Sequence, residues 1–146
     1  MNWQKISIER LKEYEARKTA LQLLPEQIET LEAKYTAIRS AQTDATPIRG
    51  NGGNKREDAL INNIVMRDEL KQNLKIAERE IAVTEKGLAG LTDEQKRILD
   101  GFYINRGNGH VESLCVELHL EKSRIYALKD EALKKFTLSC YGVVNI

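Results

Sequence analysis

The sequence predicts an all-α protein: a long N-terminal antiparallel helical hairpin, coiled-coil-like, followed by a small three-helix helix-turn-helix domain. Three observations predict it. Apolar residues recur at alternating three- and four-residue spacing through two long segments, the signature of one helical face. A single short stretch rich in glycine and small polar residues separates those segments. The last third of the chain holds three short amphipathic patterns, with a tight turn before the last. Composition agrees: aromatics are 5% and charged residues 31%, which favours thin helical packing with long solvated faces over one large core.

The first segment, residues 7–41, carries the stripe Leu11, Tyr14, Lys18, Leu21, Leu24, Ile28, Leu31, Tyr35 and Ile38. Pro25 falls inside it. Proline removes a helix hydrogen bond and its ring meets the preceding turn, so a kink or break is expected near Leu23–Leu24, with Pro25-Glu26 suited to the first turn of a new helix. Residues 40–56, SAQTDATPIRGNGGNKR, are expected to be a flexible connection. Their glycines do not form a phosphate-binding loop, because no Gly-Lys-Ser/Thr ends a strand-to-helix turn. Residues 57–88 resume the helical pattern through Leu70, Leu74, Ala77, Ile81, Thr84 and Leu88, after a wider apolar stripe of Leu60, Ile61, Ile64, Val65 and Met66. Two long helices joined by such a loop imply a hairpin. Helices this thin need a further partner to cover their stripes, so residues 1–90 are expected to be an oligomerisation arm, ended by Gly87 and Gly90.

Residues 91–137 form the second expected domain. Thr92 is placed as an N-cap with Gln95 three residues on, a capping box, and Asp93 and Glu94 favour the first turn. Leu91, Ile98, Leu99, Phe102 and Tyr103 are its core positions. Asn105 to Gly109 is a turn, and Val111 to Leu118 a short helix with Val111, Leu114, Cys115 and Leu118 inward. His119-Leu120 is the tight turn, and residues 121–136 are the final helix, with Ile125, Leu128, Ala132, Leu133 and Phe136 buried. Residues 138–146 are left as a tail.

A helix-turn-helix places its second helix in the major groove and presents that helix's N-terminal residues to base edges. The outward residues of the final helix are then the candidate DNA-binding set: Lys122, Ser123, Arg124, Tyr126, Ala127, Lys129, Asp130 and Lys134. Arg124 and Lys129 suit guanine acceptors, Ser123 and Tyr126 a phosphate or base, and Lys134 with Lys135 the DNA backbone.

This segment resembles the fourth region of bacterial sigma factors. The residues that carry the likeness are Leu91-Thr92, Glu112, Leu114, Leu118, Ser123, Arg124, Ile125, Ala132, Leu133, Lys135 and Phe136, within LTDEQKRILDGFY and VESLCVELHLEKSRIYALKDEALKKF. Three features depart from that pattern. His119 stands where a glycine is usual, Glu121 stands at the capping serine, and the Asn105–Gly109 loop is longer. The family implies a three-helix DNA-binding fold, in which the Glu121 carboxylate can still cap but brings negative charge toward DNA. The remainder of a sigma factor has no counterpart. With a helical arm in front, the layout resembles phage-encoded transcriptional regulators of the ArpU and RinA type from Gram-positive bacteria. That likeness implies an activator of late phage genes working on double-stranded DNA, in which RNA polymerase is a possible further partner.

Net charge is +1, and residues 91–146 hold eight basic and eight acidic residues, so any DNA contact must use a local patch, helped by oligomerisation or a protein partner. Two other functions share the sequence features: a small-terminase-like DNA-recognition subunit for phage packaging, and an RNA polymerase-binding interaction module. Catalysis is not expected. His110 and His119 are the only histidines, without a carboxylate or cysteine at ligand or triad spacing, so no metal or other cofactor is expected either. Cys115 sits in an apolar register as a buried free thiol, and Cys140 in the tail. No apolar run spans a bilayer and MNWQKISIERLKEYE has no apolar signal core, so no membrane partner is expected and a bacterial cytoplasmic location is.

Overall fold

The computed structural model describes residues 1–44 and 52–145, and every regular element among them is helical. The fold is all-α. α1 spans Trp3–Asp44 and α2 spans Gly52–Ala89. α3 spans Asp93–Leu99 and runs into a π-helical turn, Asp100–Ile104. α4 spans His110–Leu118 and α5 spans Lys122–Tyr141.

Four sequence expectations change. α1 runs through Pro25 without a break, and no new helix starts there. Pro25 is exposed. Its missing N–H and ring cost about 3 kcal/mol, which a helix anchored on both sides by the buried Leu11 and Ile28 can absorb. The connection expected at 40–56 is narrower. Residues 40–44 extend α1 and 52–56 open α2, because a helix already nucleated gains one bond per residue added, while a first turn asks for no hydrogen-bond donors. Residues 45–51, the rest of that expected loop, lie outside the described residues. Gly87 lies inside α2, which continues to Ala89. Finally, the first part of the expected tail, residues 138–141, is helix: α5 reaches Tyr141 and ends on Gly142 at φ 77°, whose N–H donates to the Leu138 carbonyl at 2.8 Å.

The chain divides into two compact units: residues 1–18 with 79–146, and residues 19–78. The boundary expected at 90/91 is therefore displaced into both long helices. In the first unit α3, the π-helical turn, α4 and α5 bring together Ile98, Phe102, Val111, Leu114, Ile125 and Leu128. A second cluster joins Leu11 of α1 to Leu91, Leu99, Ala132, Leu133 and Phe136, with Ile8, Leu88 and Cys140 packed against it. The C-terminal half of α5 thus takes its cover from the start of α1 and the end of α2. Burying residues such as Leu11 and Phe136 is worth about 1.5–3 kcal/mol each, which is reason enough for these turns to stay together.

Polar groups register that packing. The hydroxyls of Ser7 and Thr137, both fully buried, are hydrogen-bonded at 2.8 Å, and Thr137 also donates to the Leu133 carbonyl. Trp3 stacks beside Tyr141 with ring centroids 5.1 Å apart. Cys140 is not a dangling tail thiol. It lies on α5 against Gly87, its Sγ 3.9 Å from the Val83 carbonyl, and burial pushes its pKa up.

The second unit, residues 19–78, is thinly buried. Ile28, Asn63 and Ala77 are its buried residues among those described. Asn63 Nδ2 donates to the Leu31 carbonyl at 2.8 Å, and the Arg67 guanidinium lies 4.9 Å from the Tyr35 ring centre. Of the apolar stripe expected at residues 60–66, Ile61, Ile64, Val65 and Met66 are exposed. Residues 61, 64 and 65 fall on the face of α2 opposite Asn63 and Leu70, since each residue advances about 100° around the helix.

Candidate nucleic-acid interface

The site is built on the α4–turn–α5 segment. α4 buries Val111 and Leu114 and ends at His119, whose φ 57° and ψ 43° are left-handed. A β-carbon in that conformation is costly, and His119 is the only non-glycine residue with positive φ among those described. The turn is closed by the Leu120 N–H donating to the Cys115 carbonyl at 3.2 Å. The chain then extends through Glu121 and enters α5. Glu121 is the N-cap residue, but the cap its carboxylate can supply is not made, and the first amides of α5 remain open. α3 carries the expected capping box: Thr92 Oγ1 accepts from the Gln95 N–H at 3.2 Å and Gln95 Oε1 from the Thr92 N–H at 3.0 Å.

Ile125, Leu128, Ala132, Leu133 and Phe136 form the buried face of α5, as their spacing predicts. Opposite them, Ser123, Ala127, Asp130 and Lys134 make one exposed ridge. Arg124 lies to one side of the ridge, with Glu131 and Lys135 in the following turns. Tyr126, 40% exposed, lies to the other. Lys122 is exposed at the first turn. Among the described residues Lys122, Arg124, Lys134 and Lys135 form no ion pair, so their charges face solvent.

Lys129 departs from the expected outward set. Its side chain is only 20% exposed. The ammonium sits 5.6 Å from the centre of the Phe102 ring and 5.7 Å from that of Tyr126, and pairs with Asp130 at 3.0 Å. A cation held over two ring faces is drawn by their quadrupoles and is not free to reach a base edge. The position explains it. Lys129 is one turn after Ile125, so it flanks the buried face, and its stem lies along apolar surface. That spacing was present in the sequence. The partner ring of Phe102, from the π-helical turn, was not.

Sequence reasoning also missed what holds this end together. The Phe102 ring contacts His110 edge-on at 4.9 Å and Tyr126 edge-on at 5.7 Å. Arg97 of α3 pairs with Glu117 of α4 at 2.7 Å and with Asp100 at 3.2 Å. Tyr103 is half-buried, and that burial raises its pKa against the opposing charge of Lys129. Cys115 is partly buried and free.

Among the described residues no group of three or more His, Cys, Asp or Glu is placed to hold a metal ion. No helix there is long and apolar enough to cross a membrane. Compared with family models, with curated proteins and with solved structures, the chain gives no match.

Proposed function

We propose that the chain is a sequence-specific DNA-binding transcriptional regulator that lays α5 in the major groove. The observation that carries this reading is the left-handed turn at His119, which delivers an α5 whose first two turns expose Lys122, Ser123, Arg124 and Tyr126 above a closed apolar core. The uncapped amides at the start of α5 suit a phosphate oxygen. The sigma-like pattern of residues 91–136 supports activation of phage genes in a bacterial cytoplasm. The thin, apolar-faced second unit supports self-association through the arm, which compensates for a formal net charge of only +1.

Quantitative footprinting of the full chain on its source genome at two salt concentrations tests this function. A discrete site, weakened by salt and by Arg124→Ala, is expected, because phosphate contacts release counterions and a bidentate arginine specifies a base.

A second reading has one observation in its favour. The exposed side of α5 carries Asp130 and Glu131 beside its cations. Such a mixed face suits a protein surface, and RNA polymerase is the partner that a sigma-like domain would meet.

A further inference from the structure

One side of the second unit is an open groove of about 340 Å³ between α1 and α2. Leu31, Met66 and Leu70 supply its apolar surface, and Glu26, Thr30 and Lys34 line it from α1. Met66 is 52% exposed, so the apolar surface is uncovered within one chain. Glu26 and Lys34 are exposed and form no ion pair among the described residues. They stand eight residues apart on one helix, about 12 Å along its axis, too far to pair with each other. Thr30 lies midway, and its hydroxyl is already satisfied by the Glu26 carbonyl at 2.9 Å.

This arrangement is complementary to itself. A two-fold axis through Thr30, perpendicular to α1, sets Glu26 of each copy against Lys34 of the other. The apolar residues of both grooves then meet between two reciprocal ion pairs. A parallel alignment would set Glu26 on Glu26 and Lys34 on Lys34. A two-fold interface uses the same patch on both subunits, so one groove of this charge order is sufficient to define it. We propose that the groove is the seat of a second copy of this chain, packed antiparallel about Thr30. The proposal rests on the reading of the arm as an oligomerisation element and names its surface.

Sedimentation equilibrium of the full chain tests it, with Glu26→Lys, Lys34→Glu, the double variant, and a 1:1 mixture of the two single variants. Wild type is expected to dimerise, and each single variant to dimerise at least about tenfold more weakly, since like charges then oppose at both pairs. The double variant and the mixture are both expected to regain wild-type association, because each restores opposite charges across the axis. A wild-type dimer unaffected by either single change overturns the groove pairing and leaves the arm's role standing. Weakening without rescue in the mixture overturns the reciprocal geometry. A wild-type monomer overturns both the pairing and the oligomeric arm.

Discussion

Arg10, in the third turn of α1, donates from Nε to the phenol oxygen of Tyr141, in the last turn of α5, at 2.8 Å. The same guanidinium reaches α2, where Nη1 donates to the Glu80 carbonyl at 2.9 Å and Nη2 pairs with the Glu80 carboxylate at 2.6 Å. One side chain thus ties together α1, α2 and α5. Burial works against its charge, but the Tyr141 bond and Glu80 outweigh that and hold its pKa above the ordinary arginine value. Removing Arg10 takes the donor from the Tyr141 phenol and leaves Glu80 with only the longer Arg17 contact at 3.8 Å. Arg10→Ala is expected to destabilise by about 2–4 kcal/mol and Tyr141→Phe by about 1 kcal/mol, measured by urea unfolding of the full chain. Equal stability of Arg10→Ala and wild type would contradict this role.

Gly87→Ala is expected to destabilise, although alanine is the better helix former. A β-carbon at position 87 would stand 2.6 Å from Cys140 Sγ and 2.8 Å from the Phe136 ring. Alanine gains about 1 kcal/mol of helix propensity, whereas overpacking of a filled core costs about 1–3 kcal/mol. A lowered melting temperature is the expected reading, and a raised one would show that α2 and α5 can move apart freely.

His119→Gly is expected to act in the opposite direction. The left-handed turn costs a residue with a β-carbon about 1–2 kcal/mol, and glycine recovers that less its own chain entropy of up to about 1 kcal/mol. Its imidazole is exposed and supplies no buried packing. A net gain of up to about 1 kcal/mol in thermal or denaturant unfolding is predicted, with DNA affinity unchanged.

Lys129 and Arg124 are expected to separate in a binding assay. Arg124→Ala is expected to weaken binding to a footprinted site by about 1–3 kcal/mol and to relax its sequence preference. Lys129→Met keeps the stem that lies over Phe102 and Tyr126 while removing the charge. It is expected to change specific affinity less than Arg124→Ala does. The reverse order would return Lys129 to the base-contacting set.

The two thiols are expected to differ in reactivity. Burial raises the Cys140 pKa, and the nearby Arg10 opposes this only in part. The thiolate is the reactive form, so at pH 8 Cys140 should alkylate more slowly than a free cysteine peptide, and unfolding should remove the protection. The sign for stability follows. With its folded pKa above its unfolded one, Cys140 contributes fully below its unfolded pKa and loses that contribution as pH rises through the folded value. Fast labelling of native Cys140, read by peptide mass, would contradict its packing against Gly87.

Local signals in the sequence were sufficient for much of this fold. The Thr92–Gln95 capping box, the turn at His119 and the buried face of α5 each depend on residues within one or two helical turns. The parts that were not legible depend on partners far along the chain. Ser7 and Thr137 meet across 130 residues, and nothing near either marks it. The continuation of α5 to Tyr141 follows from the covers that Gly87, Trp3 and Arg10 provide. In the π-helical turn at Asp100–Ile104, Gly101 lies against Leu114 of α4, where a β-carbon would stand 3.0 Å from Leu114 Cδ1, and nothing beside Gly101 in the sequence marks that contact. Pro25 misled because a local breaker was weighed without the long helix on either side of it. In the candidate interface the exposed cations of α5 were legible from its period, and the capture of Lys129 by Phe102 was not.

The most direct test of the central claim is footprinting of the full chain on its source genome, at low and physiological salt, beside Arg124→Ala. A discrete protected site upstream of a gene block is expected, weaker at higher salt and reduced or lost in the variant. Absence of any protected site at both salts, with the chain instead retaining RNA polymerase in a pull-down, would contradict it.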